Sequence, residues 1–253
     1  MLFGRYGVRK EKTMYHYVTD KVFIKESYRI CADLVNQLVQ ELKHYDIQAR
    51  MTCVGSKKRG LITQNGREPI DYDFNLWILD DGGYSHGSDL KNCIKEAFDY
   101  VLSENGLDEC HCKDSKSVIT TDLMKLKHGN KTPFSIDLCI VKEDKNGRWH
   151  RLIHEKTGVI KMDRWIWNIG PDGKDICQKE QTLKREHWEE VRKIYLDKKN
   201  MYLSRNDTTH PSFTCYIEVI NEVYYKNQGS INGNIFGVHS INGISDNGFI
   251  REK

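Results

Sequence analysis

Neither sign of charge dominates this chain. Its 39 Lys and Arg residues stand against 36 Asp and Glu, a net charge of +3 over 253 residues. Duplex nucleic acid calls for a concentrated basic surface, so duplex binding is not expected. Long apolar runs are also missing, and a membrane span needs about 20 such residues. The stretch Met1 to Lys12 is basic but has no apolar signal core, and the sequence reads as cytoplasmic. Cysteine is present eight times, but not at metal-clip spacing. In Cys110-His111-Cys112 the ligands stand closer than in a Cys-x-x-Cys clip, and no second clip matches it. Cys31 and Cys93 fall on apolar helix positions, Cys53 and Cys139 in apolar strands, and all four read as buried free thiols. There is no internal repeat.

What is present centres on two aspartates. Ile70-Asp71-Tyr72-Asp73-Phe74-Asn75-Leu76-Trp77-Ile78-Leu79 alternates apolar and polar residues, which predicts a half-buried strand. Ile70, Tyr72, Phe74, Leu76 and Ile78 share one face, and Asp71 and Asp73 share the other. Two carboxylates side by side repel, and a divalent cation relieves that repulsion.

Upstream, the apolar run Ile47 to Val54 predicts a neighbouring strand that ends in Gly55-Ser56-Lys57-Lys58-Arg59-Gly60. Gly55 permits a tight turn and Ser56 can begin a helix. Such a turn aims backbone N–H groups outward, which suits a phosphate. Downstream, Phe134-Ser135-Ile136-Asp137-Leu138-Cys139-Ile140-Val141 predicts another apolar strand. Asp137 lies on the face opposite Ile136, Leu138 and Ile140. Pairing of this strand near the first would make Asp137 a third ligand.

A Gly-Ser turn, an Asp-x-Asp strand or a lone strand Asp is each commonplace. All three in this order, over residues 47–141, resemble the polymerase-β-like nucleotidyltransferase superfamily. The Gly-Ser-x-x-Arg-Gly turn is similar to that of the bacterial cyclic oligonucleotide synthase branch, while the chain length is similar to that of antibiotic nucleotidyltransferases. The resemblance implies a mixed α+β fold. It implies that Gly55 and Ser56 hold a triphosphate such as ATP. It implies that Asp71, Asp73 and Asp137 bind two Mg2+ ions and that Asp137 helps activate the attacking hydroxyl. Arg59 and Lys116 are further candidate nucleotide contacts. Lys113 and Lys125 also flank the region, where lysines are commonly surface charge. Two features depart from the pattern. Lys57 stands where an aromatic residue often follows Gly-Ser, and the polar stretch Leu61 to Pro69 implies a short helix after the turn.

The expected reaction is transfer of a nucleoside monophosphate to a hydroxyl acceptor, a nucleotide, small molecule or protein, with release of pyrophosphate. Two rivals stay open: a non-catalytic nucleotide-binding module on the same fold, and a metal-dependent phosphohydrolase using the same carboxylates.

The rest of the chain sets the frame. Val22 to Tyr45 predicts an amphipathic helix, and a second begins at Ser88 and ends near Gly106. Ser117 to Leu126 predicts a strand that returns antiparallel through 134–141. The expected division is a catalytic core over 1–160 and a mainly helical lobe over 161–253. That lobe has helices over Glu180 to Tyr202 and, after Pro211, over Ser212 to Lys226. Trp165 and Trp167 can stack on a base or anchor a core. The Gly- and Asn-rich stretch from Asn227 to Lys253 reads as an ordered tail or a disordered one.

Overall fold

A computed structural model of the protein describes residues 13–158, 162–170, 173–207 and 211–228. The chain forms two compact units, Met1–Pro171 and Asp172–Lys253.

The first unit opens with a short strand, β1 (Tyr15–Tyr17), and a long helix, α1 (Lys21–Glu41). Asp20 caps α1 by accepting the Phe23 N–H at 2.9 Å, which satisfies one of the orphan donors of the first turn. Phe23, Ser27, Cys31, Leu34, Val35 and Leu38 recur at helical spacing and are buried. A 3-10 turn, Leu42–Tyr45, leads into β2 (Ile47–Cys53). A single turn of helix follows, α2 (Gly55–Arg59), and Gly60 ends it in the left-handed conformation with φ 69°, which glycine adopts at no steric cost. Next come β3 (Thr63–Asn65), paired with β1, and the twelve-residue β4 (Ile70–Asp81). The unit is completed by α3 (Gly87–Glu104), β5 (Cys112–Asp114), β6 (Ile119–Thr121), β7 (Phe134–Glu143), β8 (Trp149–Glu155) and β9 (Arg164–Ile169).

The main sheet runs β2-β4-β7-β6-β5, with β8 also paired to β7 and β9 to β8. β4 and β7 are parallel, whereas β2, β6 and β8 pair antiparallel with their neighbours. This is the mixed α+β sheet flanked by helices that the sequence predicts. One face carries Tyr72, Phe74, Leu76, Ile136, Leu138 and Ile140 into the core with α1 and α3 residues. Each large side chain buried there contributes about 1.5–3 kcal/mol. The Tyr72 hydroxyl, buried in this layer, lies 2.7 Å from Ser27 Oγ, so its polar end is satisfied. The opposite face of β4 and β7 carries the aspartates.

Several elements differ from the sequence reading. The helix predicted to begin at Ser88 has His86 as its N-cap and Gly87 as its first residue. A Cβ at Gly87 would stand 2.8 Å from Leu152 Cδ1 and 3.0 Å from Trp165 Cβ, so the absence of a side chain lets the helix start against β8 and β9. The strand predicted over Ser117 to Leu126 is the short β6, followed by a single bridge between Met124 and Phe134. Residues 164–169, assigned to the helical lobe, form β9 and extend the sheet.

The second unit is built from α4 (Lys174–Glu186), α5 (Trp188–Ser204) and α6 (Ser212–Lys226). The single helix predicted over Glu180 to Tyr202 breaks at His187, which takes φ −118°. Leu183, Val191, Tyr195, Tyr216, Val219, Ile220 and Val223 are buried. Lys179 donates to Asp175 at 2.7 Å, Asn221 at 2.8 Å and Tyr225 at 3.2 Å. Residues 229–253 of the Gly- and Asn-rich tail lie outside the described residues.

Candidate active site

The parallel register of β4 and β7 places Asp73 directly beside Asp137, and Asp71 stands two residues before Asp73 on the same face. One oxygen from each of the three carboxylates lies within 4.8 Å of the others. Among the described residues this is the one such group of potential metal ligands. Like charges about 4 Å apart repel by roughly 4 kcal/mol at the effective dielectric near a protein surface. Burial pushes the Asp73 carboxyl up to about 6, with Asp71 and Asp137 pushing the same way. The Ser56 N–H and the Arg59 guanidinium oppose that shift. Asp137 is also raised, by burial first and then by Asp71, while the Thr120 hydroxyl opposes.

The Gly-Ser turn is fitted onto Asp73. The Val54 N–H donates to the Asp73 carbonyl at 2.9 Å, so the chain leaves β2 directly over that residue. Gly55 takes φ +64°, and a Cβ built there would lie 1.8 Å from Asp73 Oδ2. No other residue fits, because the position needs both the left-handed backbone and the empty space. The next amide, Ser56 N–H, opposes the upward shift of the Asp73 carboxyl from the turn. The Leu61 N–H closes the turn onto the Ser56 carbonyl at 2.9 Å.

The remaining expected residues divide. Arg59, at the end of α2, acts electrostatically on Asp73. Lys57 lies 4.7 Å from the centre of the Tyr28 ring, which itself stacks on Phe74 at 6.1 Å. Lys116 is exposed in the β5–β6 turn, where its carbonyl accepts the His154 N–H at 2.8 Å. It lies four residues along from Thr120, the register partner of Asp137. Lys113 pairs with Asp122. Trp165 and Trp167 pack against the core from β9, Trp165 stacked on His154 at 4.0 Å. Sequence reasoning missed Thr120, whose hydroxyl donates to Asp137 Oδ1 at 2.6 Å. Its only signal is a position on the strand that returns into Asp137.

The donor set fits a hard divalent cation. Three carboxylates supply oxygen ligands alone, as Mg2+ requires. Burial first, and then Asp71 and Asp137, disfavour the charged form of Asp73, and a cation would relieve both.

No protein-family model and no curated protein matches the sequence. Solved structures do match the fold. CdnC of Escherichia coli MS115-1, solved with ATP, superposes with a TM-score of 0.54 at 14% identity, over 83% of this chain and 62% of that one. The cyclic AMP-GMP synthase DncV of Vibrio cholerae, with nonhydrolyzable GTP, gives a TM-score of 0.49 at 13% identity, over 70% and 46%. The cyclic dinucleotide synthase CdnE of Elizabethkingia meningoseptica, with GTP and Apcpp, gives 0.44 at 13% identity, over 80% and 78%. The chain spans less than two thirds of the length of CdnC and of DncV. DncV is a cyclic AMP-GMP synthase and CdnE a cyclic dinucleotide synthase, and the chain shares the CdnC fold.

Proposed function

We propose that this protein is a metal-dependent nucleotidyltransferase that moves a nucleoside monophosphate from a nucleoside triphosphate to a hydroxyl, releasing pyrophosphate. The observation that carries the reading is the convergence of Asp71, Asp73 and Asp137 under a turn whose Gly55 fits only against Asp73. Asp71, Asp73 and Asp137 would hold Mg2+, which when bound supplies charge neutralisation for the transferring phosphate and the leaving pyrophosphate. The chain's own residues do the rest. Ser56 and Arg59 bind the triphosphate, and the close approach of Gly55 keeps Asp73 oriented beneath it. Asp137, made more basic by burial beside Asp71, accepts the proton of the attacking hydroxyl.

The acceptor we favour is the hydroxyl of a second nucleotide. The fold shared with CdnC and the Gly-Ser-x-x-Arg-Gly turn both support this choice. Incubation with each α-labelled triphosphate and Mg2+, with no other substrate, tests it. Labelled oligonucleotide is the expected product. Label that moves only when a small-molecule or protein acceptor is added would assign the acceptor elsewhere. Free monophosphate and nothing else would favour a phosphohydrolase.

A further inference from the structure

Two consecutive threonines engage this stretch of β7, Thr120 at the Asp137 carboxylate and Thr121 at the Ile136 N–H. β6 runs beside β7 for only two register pairs, Ile119 with Leu138 and Thr120 with Asp137. Between this point and the Met124–Phe134 bridge, side chains join the two segments. The Thr121 hydroxyl accepts the buried Ile136 N–H at 3.0 Å. The Thr120 hydroxyl, on the aspartate face, donates to Asp137 Oδ1 at 2.6 Å. An ionised carboxylate can only accept, so the hydroxyl proton points at Asp137, in a short charge-assisted bond. Asp73 is crowded in another way, by the close approach of Gly55. Among the described residues no glycine closes on Asp137 in that way, and the Thr120 bond to its carboxylate comes from the neighbouring strand.

We propose that Thr120 is a positioning residue of the active site: by engaging Oδ1 it fixes the Asp137 carboxylate so that the second oxygen is available to a divalent cation shared with Asp71 and Asp73. This rests on the metal-dependent reading above. A threonine present only to build β6 would be replaced by valine at no cost, since both are β-branched and favour strands. A threonine that orients a ligand cannot be, because supporting partners of metal ligands are worth roughly 10–100-fold in metal affinity.

The experiment is titration of the metal-free full chain with Mn2+, read by loss of the free-ion spin resonance signal. The variants are Thr120→Val, Thr120→Ser and Asp137→Ala. Thr120→Val should weaken Mn2+ binding by about tenfold or more, and Thr120→Ser should recover most of it. In turnover the Val variant should need more Mg2+ for half-maximal rate, with its KM for triphosphate at saturating metal little changed. If Thr120→Val does not fold, Thr120→Ala against Thr120→Ser makes the same comparison. Mn2+ affinity of the Val variant within about twofold of native, with Asp137→Ala defective, would overturn the role of Thr120 alone. Native affinity in Asp137→Ala would instead overturn the metal site itself.

Discussion

Asp73 is surrounded by groups that each answer to it: Gly55 above, the Ser56 amide and Arg59 beside it, Asp71 and Asp137 against it. Two predictions belong at this scale. Gly55→Ala should lose about 1–2 kcal/mol to the left-handed backbone alone, and should also displace the Asp73 carboxylate. Gly60→Ala shares the positive φ but meets open space, so it should carry the backbone cost and keep the site. Urea unfolding of both variants, with triphosphate titration, separates the two terms. The second prediction concerns pH. Asp73 titrates at about 6 in the folded chain against a usual 3.8. The folded state therefore holds this proton more tightly, and the contribution of Asp73 to stability falls as pH rises from about 4 to 6. At roughly 1.4 kcal/mol per pH unit, Asp73→Asn should stabilise the metal-free protein by on the order of 2–3 kcal/mol at pH 7.5 and by little at pH 4. Equal unfolding midpoints at pH 7.5 would contradict this, and added Mg2+ should stabilise only the native chain. Asp71 and Asp73 were legible in the sequence because strand alternation sorts them onto one face, and Asp137 joined them through the family resemblance. The Gly55 approach and the Thr120 bond were not, because both depend on which strand lies next to which.

At the scale of elements, the long periodic segments are the ones the sequence exposes. α1, β2, β4, β7 and α6 follow their apolar spacing closely. β8 and β9 do not, because Trp149-His150-Arg151 and Arg164-Trp165-Ile166-Trp167 mix polar and aromatic residues on both faces. Contacts far away in sequence hold them. His154 of β8 faces Asp114 at 2.9 Å through Nδ1 and Asp163 at 3.0 Å through Nε2. Asp114 also pairs with Lys91, a lysine of α3 that is 2% exposed and donates to the Ser115 carbonyl at 3.0 Å. Asp163 accepts the Thr157 N–H at 2.8 Å. This polar network ties α3, β5, β8 and the approach to β9 together. Removing one partner of a buried ion pair costs about 3–5 kcal/mol, so Lys91→Ala should lower stability by about 3 kcal/mol in urea unfolding. A loss under about 0.5 kcal/mol, the usual effect of a surface change, would show that the network is not structural. The split of α4 from α5 at His187 was illegible for a different reason. The charged residues around it continue a helical pattern in both directions, and only the backbone shows the break.

For the whole molecule, the division into two units falls near residue 171 rather than 160. A chain ending at 160 would lose β9, leave β8 as an unpaired edge and strip His154 of Asp163 and Trp165. Exposed strand edges promote aggregation. We therefore expect a chain ending at 171 to stay soluble better than one ending at 160, measured by the soluble fraction after expression. Equal solubility would mean that β9 is dispensable to the sheet. The central claim concerns the bond that breaks, between the α- and β-phosphates of a nucleoside triphosphate. It is tested most directly by quantifying pyrophosphate and orthophosphate released by the full chain with Mg2+ and each triphosphate, beside Asp71→Ala, Asp73→Ala and Asp137→Ala. The account predicts pyrophosphate from the native protein, and a loss in each variant beyond the roughly 100-fold that marks a merely supporting residue. Orthophosphate in place of pyrophosphate, or pyrophosphate release that persists in the aspartate variants, would contradict it.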